Sequence, residues 1–537
     1  MVMMDFDYVI VGAGAAGSVL AGRLSQDPDN QVLLLEYGGR AANPLLYVPL
    51  GFYFILRGKR YTYHYPTQPV GPGGQVEAWT RGRVLGGSTA VNGMMWTRGA
   101  PADWDGLAAR GNPGWGWDRV LPAYRMMEDH SLGASDMRGA GGPVTVSVAA
   151  GGDELAQAVL ASAQGMGWEY VADVNAHDSE RVGFSPSTIR HGRRVSAYSA
   201  FVRPVRGRRN LTVATRTRVG HLLFDGARVA GVRASDGRQT VDYRARKEVI
   251  LSAGTVETPL LLERSGIGRP DVLRRAGVDV RVESPNVGER IIEQRMVSIQ
   301  VRLKRNIGPT QRLNTLLGQG WEGCKYLFTR SGPIATGGFD FICQFKSSPD
   351  LDRPDIQGIF VPMALDPTSP EMKLARHSGV MFVGYQIRPT TTSSVHLGGR
   401  LPENPPIINA RFLETEGDRK ATAAVLGVAR EVFGKGPLAT YVLDEEFPGP
   451  AVSSPDDVVR YALDTGLGIY HAVGAAAMGP DAEDVADPQL RVRGVTGLRV
   501  VDASVLPVPV AGNTAAPPRA VAWIAADLIL ESSSCGI

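Results

Sequence analysis

The sequence predicts an α/β chain, α+β overall, whose parallel sheet is assembled from separated segments and interrupted by a second domain. Three observations carry this. The first 37 residues read as a complete strand–helix–strand unit. Buried-strand signals recur in the middle and near the end of the chain. The stretches between them carry mixed strand and helix patterns, with no repeat and no low-complexity linker. At 537 residues the chain has room for two to four domains of roughly 100–200 residues, or two large ones.

In chain order, "YVIVG" (8–12) is a short, β-branched buried strand. "AAGSVLAGRLSQ" (15–26) has helical spacing, "DPDN" (27–30) is a turn, and "QVLLLE" (31–36) is a second buried strand. Strands that are apolar throughout, not alternating, fit a parallel sheet covered on both faces. Residues 40–80 are rich in aromatics and prolines without a period, an ordered excursion. Strands and hairpins follow over 211–234, and a buried strand returns over 245–254. Residues 300–345 and 380–415 carry mixed strand signals, "GVMFVGYQI" (379–387) among them. An amphipathic helix is predicted over 419–433, a strand and loop over 498–507, and a closing helix over 518–531.

Composition narrows the function class. The net charge of +3, from 57 Lys+Arg against 54 Asp+Glu, gives no case for a nucleic-acid partner. The short basic clusters at 190–194 and 203–209 read as solvated faces. Cys324, Cys343 and Cys535 are too few and too scattered for a disulfide framework or a thiolate metal site, so a reducing, cytoplasmic compartment and no metal are expected. No stretch of 18 or more apolar residues predicts a membrane span, and the N-terminus lacks the basic region of a signal peptide. Nothing in the sequence separates a monomer from a dimer. The 65 glycines, about 12% against a usual ~7%, point to many close backbone approaches, as in a chain wrapped on a large cofactor.

Gly12-Ala13-Gly14-Ala15-Ala16-Gly17 lies between the first strand and the first helix. Gly12 makes the tight turn, Gly14 lets backbone amides approach a pyrophosphate, and Gly17 lets the helix lie close to the sheet. The phosphates then meet a helix N-terminus, where free N–H groups and the dipole favour anions. Glu36 closes the second strand, where an acid binds the ribose hydroxyls of an adenosine half. This Rossmann-like unit predicts a dinucleotide without separating NAD from FAD.

Two further stretches separate them: "GRVLGGSTAVNGMMW" (82–96) and "GTVETPLLLERSGIG" (254–268). With these the sequence resembles the glucose–methanol–choline (GMC) family of flavin oxidoreductases, from about residue 5 to 532. The resemblance implies a Rossmann-like FAD-binding domain over 1–155, 200–297 and 460–537. It implies a substrate-binding domain over 156–199 and 298–459, with a mainly antiparallel sheet and flanking helices. Arg83, Val84, Gly86, Gly87 and Ser88, and then Asn92, Gly93, Met94 and Met95, should wrap the flavin and its diphosphate. Ala253 leads into the second signature. Val219 falls where the family contacts adenine, and Asp502 and Ala503 where it contacts the ribityl–phosphate region. Some members tether FAD through a histidine just ahead of the signature asparagine; Val91 stands there, which implies non-covalent FAD.

The resemblance also gives "YHAVGAAAMG" (470–479) and "AGNTAAPPRA" (511–520) roles, with His471 and Asn513 as the catalytic pair and Thr514 beside the flavin. Alcohol oxidation removes a hydroxyl proton and a hydride from one carbon. A neutral imidazole, with an ordinary pKa near ~6.5, accepts the proton. Asn513 holds the substrate oxygen, and the small residues after His471 are expected to leave room for a flavin ring. Oxygen or a quinone-type acceptor would re-oxidise the flavin, and the few titratable groups near the motifs favour a neutral alcohol. Where many members continue with Asn-Leu-Gln-Asp-His, this chain reads Arg290-Ile291-Ile292-Glu293-Gln294, which alters contacts near the flavin or a domain boundary. "YTYHYPTQP" (61–69) either lines the entrance or packs under the cofactor. Tyr385 and Arg388 are expected in solvent or a salt bridge. The alternative is a flavin-containing hydroxynitrile-type lyase with the same fold.

Overall fold

The computed structural model describes residues 2–149, 152–369, 373–510 and 512–534. Two seven-stranded sheets organise it. The first runs in the order Leu211–Thr215, Val32–Glu36, Val2–Val11, Thr240–Leu251, Arg228–Ser235, Arg218–Asp225, with Leu498–Val500 also paired to Thr240–Leu251. Its central pairs are parallel, and Arg218–Asp225 and Arg228–Ser235 add an antiparallel hairpin at one edge. Val9, Ile10, Leu33 and Leu34 are wholly buried, as apolar residues of a strand covered on both faces must be. Each contributes about 1.5–3 kcal/mol relative to exposure. Helix Ala15–Leu24 covers one face, packed against the closing helix Pro517–Ser534.

The second sheet runs Val442–Phe447, Met296–Leu303, Gly379–Gln386, Ile356–Val361, Phe341–Phe345, Arg181–Phe184, Glu169–Tyr170. It is antiparallel except for its last, short pair. Helix Glu416–Gly434 lies on it through Val425, Leu426 and Ala429.

Most sequence-based elements fall where expected, with longer strands at Val2–Val11 and Thr240–Leu251. The region 300–345 differs. It contains helix Leu316–Thr329, which the mixed strand signals miss because its apolar residues face outward and three glycines interrupt it. The cluster at 190–194 also differs. Arg190, His191 and Arg193 are exposed, but Arg194 is buried and donates to Asn92 Oδ1 at 2.8 Å and Thr89 O at 3.4 Å. Burial lowers its guanidinium to about 9. Arg388 makes its expected salt bridge, to Asp103 at 2.7 Å. Cys324 is exposed and Cys343 buried, both free thiols; Cys535 lies outside the described residues.

Candidate active site

One cleft runs along the C-terminal ends of the parallel strands. Ligands of open α/β sheets bind in that position. Gly12, Gly14, Ala15, Ala16, Glu36, Gly87, Ser88, Val219, Ala253, Asp502, Ala503 and Thr514 all line it.

The glycine turn is built by close approach. A Cβ on Gly12 (φ +103°) would lie 2.4 Å from Ser252 O, and one on Gly17 would lie 1.9 Å from Gly12 O. Gly14 has nothing nearer than 4.0 Å, so it opens onto the cleft. The helix it caps has no acidic residue in its first turn, leaving the positive end of the dipole for an anion. Glu36 accepts from the Ala13 and Gly38 amides at 3.0 and 2.7 Å. Burial lifts its carboxyl to about 7, against the opposing pull of those amides and Arg83. The Ala13 amide is thus spent on Glu36, not on a ligand.

Other expected residues are not among those that line the cleft. Arg83 turns away, over Tyr63 at 5.1 Å and Tyr37 at 5.6 Å, and donates to Lys59 O at 2.7 Å. Val84 is buried against Leu46, Ile55 and Val91. The Gly86 amide donates to Ala13 O at 2.8 Å. Asn92 Oδ1 takes the Met94 amide and Arg194, and Gly93 abuts Phe339. Met94 holds φ +65°, and Met95 joins an apolar cluster with Tyr385. Tyr63 and Tyr65 of the 61–69 stretch do line the cleft, stacked 5.1 Å apart.

His471 and Asn513 meet. Asn513 Nδ2 lies 3.2 Å from His471 Nε2, across 42 residues of sequence. Their chain neighbours Tyr470, Ala472 and Thr514 line the cleft. The divergent segment 290–294 holds His471 in place. Glu293 accepts the His471 and Ala472 amides at 2.8 and 3.0 Å. Gln294 Oε1 lies 2.7 Å from His471 Nδ1, and Gln294 Nε2 donates to Ile387 O at 3.1 Å. An amide oxygen only accepts, so Nδ1 carries the hydrogen and Nε2 keeps its lone pair.

On the far side, amides continue the chain. Arg181 donates to Gln344 Oε1 at 2.7 Å, and Gln344 Nε2 to Gln357 Oε1 at 3.0 Å. Gln357 Nε2 donates to Asn513 Oδ1 at 3.0 Å and Tyr385 Oη at 2.5 Å. Since Arg181 can only donate, each amide's orientation follows from the one before. Thr97 Oγ1 receives the Asn513 amide at 2.6 Å and donates to its carbonyl at 3.0 Å.

Three features depart from the sequence expectation. Burial, with Arg81 nearby, pushes the His471 imidazole down to about 3, far below 6.5. The imidazole is therefore neutral throughout the physiological range. Tyr385 is fully buried and packs on His471, ring centroids 5.8 Å apart at 62°. Of the small residues after His471, Ala472 lines the cleft, while Ala475 and Ala476 fill the protein interior. Gln344 and Gln357 gave one sequence signal: polar residues inside the apolar runs "FICQF" and "IQGIF".

Family models decide what this cleft is. Those described as GMC oxidoreductase match residues 6–295 and 389–522. The chain belongs to the GMC oxidoreductase family. It is 35% identical to choline dehydrogenase, mitochondrial, of Homo sapiens, over 98% of this chain and 90% of that one. It is 33% identical to alcohol dehydrogenase [acceptor] of Pseudomonas putida, over 98% and 96%. Among solved structures it resembles pyridoxine 4-oxidase from Mesorbium loti (TM-score 0.88, 29% identity, 97% and 98% covered). Formate oxidase gives a TM-score of 0.92 at 26% identity, with both chains wholly covered. This GMC oxidoreductase is a flavin enzyme, and its residues fit FAD. The cleft has a glycine cradle, an open helix N-terminus and a buried acid at its adenosine end. It also has an orphan donor: Arg81 Nη2 is buried without a hydrogen-bond partner, 3.7 Å from Glu293 Oε2.

Proposed function

We propose that the enzyme oxidises an uncharged alcohol to the aldehyde or ketone. The observation that carries this is the His471 Nε2 lone pair, fixed by Gln294 and facing the Asn513 amide at 3.2 Å. A hydroxyl placed between them gives its proton to Nε2 and receives a hydrogen bond from Asn513 Nδ2. That bond strengthens as negative charge grows on the oxygen. With a pKa of about 3, His471 is always in the accepting form but is a weak base. The Asn513 donor therefore has to stabilise the developing alkoxide. FAD, when bound, would supply the two-electron acceptor that oxidation of that carbon requires. The cofactor-binding set runs from the 12–17 turn and Glu36 through Ser88, Val219, Asp502 and Thr514. It is held without a covalent link, since Val91 is a buried aliphatic side chain.

A neutral substrate is supported by the polar groups at hand, which are the amides of Gln294, Gln357 and Asn513. The adjacent carboxylate, Glu293, has both oxygens occupied by backbone amides. The named relatives that act on choline and on alcohols with an acceptor support the reaction class. Oxygen or a quinone-type compound completes the cycle. The two sheets support a division into a cofactor domain and a substrate domain. The exposed free thiol of Cys324 supports a reducing cytoplasm.

The test is anaerobic mixing of the yellow holoenzyme with a panel of alcohols, following loss of flavin absorbance. One neutral alcohol should bleach it. His471→Ala should keep its FAD and bleach about 10²–10⁴-fold more slowly. An unchanged rate in that variant would overturn the assignment. Acid precipitation should release the flavin into the supernatant.

A further inference from the structure

Helix Leu316–Thr329 is built inside out. Leu316, Leu317 and Phe328 are 88–90% exposed, Trp321 is 71% and Leu327 65%. Surface apolar residues scattered singly need no explanation, but five large ones on one helix mark an interaction surface. The helix turns its acid inward: Glu322 is 1% exposed and is the lone acid between residues 304 and 335. That stretch carries five cations, of which Lys325 and Arg330 lie exposed at the helix and its C-terminal end.

The neighbouring elements continue the pattern. Tyr326 Oη donates to Gly192 O at 3.0 Å, which presses the 189–194 hairpin, with exposed Arg190 and Arg193, against the helix end. Residues Pro333–Ala335 link the helix to Pro49–Gly51. Next along the chain comes Phe54, 65% exposed and followed by exposed Arg57, Lys59 and Arg60. Beneath, Leu313 belongs to the same buried apolar cluster as Met95 and Tyr385, with Ile334 and Leu50 packed on it. A continuous packed apolar cluster thus lies between Tyr385, beside His471, and the base of this helix.

We propose that the outer face of Leu316–Thr329 seats the enzyme on the surface of an anionic phospholipid bilayer. The apolar residues enter the headgroup boundary, and Arg190, Arg193, Lys325, Arg330 and the 57–60 cations meet lipid phosphates. An exposed Leu/Trp/Phe face with basic flanks and no exposed acid is the composition of an interfacial helix. The charge complementarity favours lipid over an acid-and-base protein partner. Among the described residues no helix is long and apolar enough to cross a membrane, so the attachment is to one leaflet. The inference stands on the surface alone and does not depend on which alcohol is oxidised.

The test is co-sedimentation of holoenzyme with vesicles of phosphatidylcholine alone or mixed with phosphatidylglycerol, at low and high salt. Binding should require the anionic lipid and weaken with salt. The double variant Leu317→Ser/Trp321→Ser should bind at least about tenfold more weakly. Lys325→Glu and Arg330→Glu should each cost about fivefold. All should keep their flavin and their turnover with a soluble acceptor. An environment-sensitive fluorophore on Cys324, in a Cys535→Ser background, should shift to the blue on anionic vesicles. No vesicle binding at low salt, or binding indifferent to these substitutions, would overturn the proposal. So would light scattering that shows a dimer which Leu317→Ser/Trp321→Ser converts to a monomer, since the face would then join two copies.

Discussion

The two ends of the cleft are built in opposite ways. At the adenosine end, partners are near in sequence: Ala13 and Glu36 bond across 23 residues, and the glycines that shape the turn sit within six. At the redox end, His471 meets Gln294 across 177 residues, and Asn513 meets Gln357 across 156. The first end is a local motif whose shape follows from backbone sterics. The second exists only once both sheets have formed. On the proposed reading the local end positions the cofactor, and the assembled end sets which proton moves.

Substitutions can separate the two. The largest expected effect is at the local end. Gly17→Val forces a side chain against the Gly12 carbonyl, 1.9 Å from the Cβ position. FAD affinity should fall on the order of a thousandfold, ~4 kcal/mol, giving colourless protein. Retained yellow colour with an unchanged Kd would contradict the packing account. Next is Asn513→Leu, which removes the donor proposed for the substrate oxygen. It should lower kcat by about 10²–10³-fold with FAD still bound. A change in KM alone would show that Asn513 only binds.

Gln294 is a positioning residue, and its variants should act on His471 alone. Gln294→Leu leaves Nδ1–H unpaired and should slow flavin reduction by about 5–100-fold. Gln294→Glu puts a carboxylate beside Nδ1, favours the imidazolium and raises the His471 pKa from about 3. The acid limb of the rate profile should then move upward into the measurable range, activity falling as pH drops through it. A Gln294→Glu profile identical to wild type would remove the tautomer argument. The smallest effect is Glu36→Gln, which should weaken FAD less than about tenfold. In the wild type, FAD affinity should change across pH 7, where burial places the Glu36 carboxyl, and the variant should lose that dependence.

What was legible in the sequence follows the same divide. The βαβ unit, Glu36 and the closing helices could be read because periodicity and short spacing encode them. His471 and Asn513 could be named by resemblance, but not their geometry. Gln294 was visible only as an unusual residue, because the ring it orients lies on another segment. Arg83 sits in the signature yet stacks over Tyr63, and Arg81, just outside it, lines the cleft. Residue type and motif membership do not record which way a side chain points. Helix Leu316–Thr329 escaped because periodicity signals assume that apolar faces turn inward.

The row of amides from Arg181 to His471 has a direction, set by a cation that remains charged at neutral pH, its guanidinium lowered only to about 10 by burial. Replace Arg181 with methionine and the row loses one of its two anchors, leaving the His471 Nε2 lone pair, fixed through Gln294, as the only group that holds the amides in their native sense. A minority of molecules would then turn the Asn513 oxygen, an acceptor, toward His471. Single-turnover traces would show two phases where the native enzyme shows one. A residue on a distant strand would thus govern how uniform the molecules are, and not how fast the best of them turns over.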